Sequence, residues 1–153
     1  MAAVVSVPDL QDPFPDHHGG VPGKPGPRRA YEILVVDPDP ATAAAVQDAM
    51  PDACVRQARD IYCALYDVVS VRVDLIVAER WLPGASVVDL LQRLRAAGSR
   101  VPVVVLSHAR GSIGTLRALG VYAVLGKPVA GDLLHDTLEL ACEMPSRHMR
   151  VMR

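Results

Sequence analysis

The sequence predicts an α/β fold in which a five-stranded parallel sheet is doubly wound, with helices on both faces. From Tyr31 onward, five short apolar segments alternate with five segments of helical periodicity, and this alternation is typical of parallel sheets. The third apolar segment, DLIVA, is apolar at consecutive positions, which indicates a strand covered on both faces. Half of the 153 residues are hydrophobic, so the chain can form a sizeable core.

Each element follows from a short stretch of the sequence. The predicted strands are YEILVV, ACVRQA, DLIVA, VPVVVLS and YAVLG, and the predicted helices are ATAAAVQDAM, DIYCALYDVVSV, SVVDLLQRLRAAG, SIGTLRALG and AGDLLHDTLELACEM. Asp39 and Pro40 have the chemistry of an N-cap and a first-turn proline. Pro51 and Gly98 are typical helix-ending residues for the first and third helices.

Apolar stripes predict which side of three helices faces the sheet. The predicted inward residues are Ile61, Leu65, Val68 and Val69 in the second helix, Val87, Leu90, Leu91 and Leu94 in the third, and Leu133, Leu134, Leu138 and Cys142 in the last.

Composition divides the chain into three parts. Residues 1–29 are rich in proline and glycine, which predicts a disordered or extended tail in which His17 and His18 are solvated. Residues 30–144 carry the alternating pattern of the folded domain, and residues 145–153 form a short basic tail. Its Arg147, Arg150 and Arg153 are expected to be solvated.

Charge and cysteine content narrow the function classes. The formal net charge of −1 gives no global field toward nucleic acid or a membrane surface. The three cysteines form no CxxC pair or metal-ligand pattern, which favours reduced thiols in a cytoplasmic protein. No apolar run reaches the roughly eighteen residues of a membrane span, and the first residues lack the basic region of a signal peptide.

Polar residues follow four of the five predicted strands. In parallel folds the ligand site lies beyond the carboxyl ends of the strands. Two acids, a hydroxyl and a lysine, with a further acid nearby, would therefore meet at one rim, an inventory suited to a divalent cation and phosphoryl oxygens. These residues are Asp37 and Asp39 after the first strand, Glu79 after the third, Ser107 after the fourth, and Lys127 with Pro128 after the fifth.

The order of these strand-end residues resembles the receiver domain of bacterial response regulators, over about residues 32–143. ILVVDPDP resembles its acidic first strand end, DLIVAERWLPG the phosphoacceptor strand and its turn, VPVVVLS the strand with the switch hydroxyl, and ALGVYAVLGKP the approach to the Lys-Pro. The resemblance implies a flavodoxin-like sheet of order 2-1-3-4-5, a role in two-component signalling or a phosphorelay, and a cis peptide bond between Lys127 and Pro128.

Several residues depart from the pattern of the resembled family. Glu79 stands at the phosphoacceptor position in place of aspartate, and Pro38 stands at the second acidic position, which leaves Asp37 and Glu79 as weak metal candidates and weakens any Mg²⁺ site. His108 follows the switch hydroxyl Ser107, and Val124 stands where the resembled family usually has a switch aromatic residue. The segment before the fifth strand is short, which predicts a trimmed fourth helix.

These departures predict a stand-alone pseudo-receiver that is not an enzyme. The extra methylene of glutamate moves the nucleophile by about 1 Å, a displacement that can reduce a rate on the order of a hundredfold. It also brings the carboxylate within reach of Lys127 and Ser107, so Glu79 becomes a fixed stand-in for a phosphorylated state. Output would then go through a protein partner or self-association, with Trp81 and Val124 as candidate interaction residues. A membrane is not expected as a partner, and nucleic acid is disfavoured.

Other interpretations stay open at the level of sequence. Glu79 and Lys127 can also be interpreted as surface residues without a functional role, and Ser107 can be interpreted as a structural residue that ends a strand. DPDPAT also resembles the Asp-x-Asp motif of haloacid-dehalogenase-type phosphatases, with Asp37 as nucleophile and Asp39 as acid/base. A third alternative is a response regulator that is still phosphorylated.

Overall fold

Five strands of one sheet and five helices make up most of the part of the chain that the computed structural model describes, residues 29–108 and 113–144. In chain order the elements are β1 (Glu32–Val36), α1 (Pro40–Ala49), β2 (Cys54–Ala58), α2 (Ile61–Ser70), β3 (Leu75–Glu79), β4 (Trp81–Leu82), β5 (Ala85–Ser86), α3 (Val87–Ala96), β6 (Val103–Ser107), α4 (Gly114–Ala118), β7 (Ala123–Gly126) and α5 (Gly131–Cys142).

The sheet has the order β2-β1-β3-β6-β7, and all of its neighbouring strands are parallel. This confirms the doubly wound fold and the predicted order 2-1-3-4-5, counted over the five strands of the sheet. Glu79 at the end of β3 pairs with Leu106, and Ser107 at the end of β6 pairs with Gly126. The carboxyl ends of these strands therefore lie at one rim.

Two apolar layers enclose the sheet because successive side chains of a strand point to opposite faces. In β1, Leu34 and Val36 pack with α2, α3 and α4, whereas Ile33 and Val35 pack with α1 and α5. The first four residues of β3 are buried, as the DLIVA pattern predicts. The central strands are thus held on both faces, which fixes the positions of the residues at their ends.

Capping residues mark the helix boundaries, and among them Asp39, Pro40 and Gly98 were predicted from the sequence. The Asp39 side chain accepts a hydrogen bond from the Ala41 N–H, and Pro40 begins α1. Ser86 and Asp89 form a capping box at the start of α3, a device that satisfies two otherwise unpaired N–H groups. After α3, Gly98 has a φ of 85°, a conformation that favours glycine.

Two residues that were predicted to face inward are exposed, and one pair of strands was not predicted. Val69 is 75 % exposed and Leu133 is 51 % exposed, because each lies at the edge of its apolar stripe, about 100° from an adjacent inward residue at 3.6 residues per turn. The buried or partly buried stripes contain Ala64 and Ala141 instead. The antiparallel pair β4–β5, built around the Leu-Pro-Gly turn, was not predicted as strands.

Several predictions lie outside the described residues. These concern the tail of residues 1–28 with His17 and His18, and the basic residues of 145–153; they stay predictions. Helix α4 has only five residues, in keeping with the expected trimming. Among the described helices, none combines the length and apolar character that crossing a membrane requires.

Candidate functional site

The carboxylate of Glu79 lies at the rim and accepts hydrogen bonds from four donors, the longest of them from the Trp81 N–H at 3.4 Å. Its Oε1 accepts a hydrogen bond from Lys127 Nζ at 2.8 Å, and its Oε2 accepts one from Ser107 Oγ at 2.8 Å. The N–H of Arg80 also donates to Oε2, at 2.7 Å. Both oxygens of this side chain are therefore occupied by donors of the same chain.

The carboxylate of Asp37 shares the ammonium of Lys127 with Glu79. Lys127 Nζ lies 2.9 Å from Asp37 Oδ2, which also accepts a hydrogen bond from Thr42 Oγ1 at 2.6 Å. The N–H of Asp39 donates to Asp37 Oδ1 at 2.9 Å. Asp37 is only 2 % exposed, so these donors replace the water that a charged carboxylate would otherwise bind. Asp37, Thr42, Glu79, Ser107 and Lys127 are called the rim cluster below.

The pKa values of the rim cluster reflect a balance between burial and hydrogen bonding. Burial alone would raise the pKa of Asp37, but donors from Thr42, the Asp39 N–H and Lys127 outweigh it and lower the pKa below the usual 3.8. Burial likewise opposes the ionised form of Glu79, and Lys127 and Ser107 reverse this and lower its pKa below 4.5. For Lys127, burial acts to lower the pKa, and its two carboxylate partners raise it above 10.5.

Other predicted site residues lie at the edge of the rim cluster or outside it. The carboxylate of Asp39 caps α1, and Asp39 lines a cavity of about 260 Å³ together with His108, Lys127 and Pro128. His108 is exposed at this cavity. The Lys127–Pro128 peptide bond is cis, as the resemblance implies.

The two candidate interaction residues differ in exposure. Trp81 is 60 % exposed, and the guanidinium of Arg80 lies 5.7 Å from the centroid of its ring. Val124 is half-buried and packs against the core layer of α2, α3 and α4. Of the two, Trp81 offers the larger surface to a partner.

Two residues that hold Asp37 were not predicted from the sequence. Thr42 was read only as part of a motif, yet its hydroxyl donates the shortest hydrogen bond of the rim cluster. Gln57 at the end of β2 donates to the backbone carbonyl of Asp37 at 2.8 Å. A threonine in the first turn of a helix that follows an acidic strand end is a signal that could have indicated the first contact.

The donor set does not fit a Mg²⁺ ion. Mg²⁺ requires oxygen ligands in near-octahedral geometry, but all four carboxylate oxygens of Asp37 and Glu79 already accept hydrogen bonds. Pro38 supplies no side-chain oxygen. Among the residues described, no group of three or more His, Cys, Asp or Glu side chains is arranged to hold a metal ion.

Comparisons with known proteins agree with this architecture. Residues 33–139 match the response regulator receiver domain family. The chain is 33 % identical over 121 residues to the nitrogen assimilation regulatory protein NtrX of Azorhizobium caulinodans. That alignment covers 74 % of this chain and 26 % of the relative, so the chain spans about a quarter of the length of that protein.

Solved structures show the same fold. The chain is similar to NtrX from Brucella abortus, with 28 % identity, a TM-score of 0.65, and coverage of 75 % of this chain and 27 % of that one. It is also similar to the chemotaxis response regulator CheY4 of Vibrio cholerae, with 21 % identity, a TM-score of 0.66, and coverage of 74 % and 99 %. From the strand order, the matched residues and these neighbours, the chain belongs to the response regulator receiver domain family.

Proposed function

We propose that this receiver domain is a pseudo-receiver that acts in signalling through protein–protein contact and does not depend on phosphorylation. The observation that carries the proposal is the Glu79 carboxylate, which joins Lys127 through one oxygen and Ser107 through the other. In this arrangement a permanent charge at the phosphoacceptor position engages the lysine and the hydroxyl that the resemblance assigns to phosphate binding.

The same contacts make Glu79 a poor nucleophile. Attack on a phosphoryl donor requires a free carboxylate oxygen in line with the donor, and both Glu79 oxygens are engaged by hydrogen-bond donors. Its lowered pKa further reduces the basicity of those oxygens. Because the donor set also does not fit Mg²⁺, little remains to neutralise an incoming phosphoryl group.

The remaining features of the proposal follow from this fixed site. Residues 30–144 form the working unit, in the cytoplasm, and the unit has no catalytic role. The partner is a signalling or regulatory protein or a second copy of the chain, with Trp81 as the exposed contact nearest to Glu79. The contacts of Asp39 do not favour a phosphatase, since its carboxylate caps α1 and is not positioned as an acid/base beside Asp37.

The test is exposure of the full chain to acetyl phosphate and Mg²⁺, with intact mass and Trp81 fluorescence followed together. Trp81 is the only tryptophan and lies two residues after Glu79, so it reports on changes at the rim. We expect neither a phosphoryl mass gain nor a response to Mg²⁺. The double variant Pro38→Asp/Glu79→Asp, which restores the family pattern at both positions, serves as the control that should gain the adduct.

The outcomes separate the proposal from its alternatives. A phosphoryl adduct on the unmodified chain, mapped to Glu79, Asp37 or Asp39, would mean a working switch and would overturn the proposal. Steady release of phosphate with retention of the original mass would instead support a phosphatase. An adduct only on the double variant would support the proposal directly, because it attributes the inert site to the two substituted positions.

A further inference from the structure

A groove runs along the seam between α1 and α5, on the side of the sheet opposite α2 and α3. It contains a cavity of about 550 Å³ lined by residues that include Tyr31, Met50, Asp52, His135 and Glu139. A second cavity of about 350 Å³ continues on the other side of His135. His135 bridges the two helices, since its Nδ1 lies 2.8 Å from the carbonyl oxygen of Ala49.

This groove is bordered by acidic side chains that have no lysine or arginine beside them in α1 or α5. Residues 40–53 and 131–144 contain no lysine or arginine, and His135 is their only basic residue. Of their acids, Asp52 and Glu139 line the larger cavity and Asp48 lines the smaller one. The full set of exposed acids on these two stretches is Asp48, Asp52, Asp132, Asp136, Glu139 and Glu143.

The first residues that the structure describes line this groove. Arg29, Ala30 and Tyr31 already form one wall of the larger cavity, and the N–H of Cys54 donates to the Tyr31 carbonyl at 2.8 Å. Immediately upstream lies the sequence PGKPGPR, residues 22–28, which carries two cations, Lys24 and Arg28. A basic stretch is therefore connected directly to the wall of an acidic groove.

We propose that residues 24–28 of the same chain dock in the α1–α5 groove, with Lys24 and Arg28 pairing with Asp52 and Glu139. In an extended proline-rich conformation these five residues span about 12 Å, a length comparable to about two turns of helix. Pro25 and Pro27 restrict the unbound backbone, which reduces the entropy lost on docking. The segment would cover the α1–α5 face and leave the rim cluster open, so the proposal is independent of the function proposed above.

The cysteines of the chain provide a direct test by paramagnetic relaxation in the full-length ¹⁵N-labelled protein. Cys54 is exposed and follows Ala53, a lining residue of the larger cavity, whereas Cys63 is exposed on α2, across the sheet. Burial raises the pKa of Cys142 to about 12, so that thiol resists labelling at neutral pH. A spin label on Cys54 (with Cys63→Ser) should broaden the amides of Gly23, Lys24 and Gly26, and a label on Cys63 (with Cys54→Ser) should not.

Charge reversal separates docking from simple proximity along the chain. The variant Lys24→Glu/Arg28→Glu should lower the ratio of docked to undocked segment about tenfold, as expected for two exposed ion pairs. Adding Asp52→Lys/Glu139→Lys to that variant should restore the broadening. The matched control is Asp132→Lys, which changes the charge of the same helix outside both cavities and should have little effect.

Two results would overturn the proposal. The first is equal broadening from the Cys54 label before and after charge reversal, which would show that chain connectivity alone brings the segment near. The second is broadening that appears only when labelled and ¹⁵N-enriched chains are mixed, which would assign the contact to a second copy. Loss of broadening as salt is raised would support the proposed ion pairs, because such exposed pairs are screened by salt.

Discussion

The rim cluster and the α1–α5 face are both rich in acidic side chains, but only the rim cluster has a lysine of its own, whereas on the α1–α5 face His135 Nε2 lies 2.9 Å from Glu139 Oε1. At the rim, Asp37 and Glu79 share the ammonium of Lys127, and the side chains are between 3 % and 14 % exposed. Residues 40–53 and 131–144 on the α1–α5 face carry six exposed acids and a single histidine, and Arg29 lines the larger cavity. Lys127 neutralises the carboxylates of the rim cluster, whereas the helices α1 and α5 carry no lysine or arginine that could do the same.

This difference shows how burial decides what a carboxylate does in this fold. A nearly buried carboxylate is costly unless donors of the chain satisfy it, so the rim cluster must be internally complete. Exposed carboxylates remain hydrated, so leaving them without a cation partner costs little in the free energy of unfolding. Variants that remove a hydrogen-bond or ion-pair partner should therefore lower the free energy of unfolding far more at the rim cluster than on the α1–α5 face.

The largest effect is expected from Lys127→Met. This change removes the cation and leaves two carboxylates facing each other in a nearly dry site, for which a loss of about 3 kcal/mol in the free energy of unfolding is reasonable. Urea unfolding at neutral pH measures the loss. The matched control is Arg72→Met, which breaks the more exposed ion pair with Asp74 and should cost about 1 kcal/mol or less. Equal losses of stability in the two variants would contradict the difference drawn between buried and exposed ion pairs.

A smaller effect is expected from Thr42→Val. The substitution keeps the shape of the side chain but removes a hydrogen bond to a charged group, which should cost about 2 kcal/mol. The pKa of Asp37 should rise, since Thr42 is the leading hydrogen-bond partner that lowers it. Carboxyl-carbon NMR titration measures the second effect. Thr115→Val in α4, where the threonine is exposed, should change neither quantity appreciably.

The rim cluster also predicts the pH dependence of stability. The folded pKa of Glu79 lies below 4.5, so its contribution is present above that pH and is lost as pH falls through the folded value. The variant Glu79→Gln should be less stable than the unmodified chain at neutral pH, by about 1–2 kcal/mol, with the difference shrinking in acid. Lys127, whose pKa is raised above 10.5, predicts a second loss as pH rises through its folded value. A difference for Glu79→Gln that is independent of pH would contradict this account.

The smallest effect is expected on the α1–α5 face, from His135→Gln. The contact with the Ala49 carbonyl raises the pKa of His135 above 6.5, with Glu139 and Asp136 adding to the effect. The contribution of the charged imidazole is therefore present below pH 6.5 and is lost as pH rises through the folded value. The Tm difference between variant and unmodified chain should be measurable at about pH 5.5 and negligible at about pH 8.5. A larger difference at the higher pH would have the wrong sign.

The sequence predicted those features that depend on local patterns or on the geometry of parallel strands. The Asp39 cap is local, and the meeting of Glu79, Ser107 and Lys127 follows from the rule that strand ends share one rim. The inward positions of Val69 and Leu133 were wrong because the edge of an apolar stripe is set by neighbouring helices. The acidic groove was not predicted because it forms only when α1 and α5, which are distant in sequence, pack together. The contact between Thr42 and Asp37 is local, five residues apart, so the sequence did carry a signal for it.

The sharing of Lys127 between two acids has a consequence for the cooperativity of the fold. Lys127 follows the edge strand β7, and its partners lie 48 and 90 residues earlier in the chain, at the ends of β3 and β1. A single ammonium thus links three strands of the sheet that are not all neighbours. Fraying of β7 would uncover two buried charges at once, so amide protons of this edge strand should exchange through openings nearly as rare as unfolding of the sheet centre.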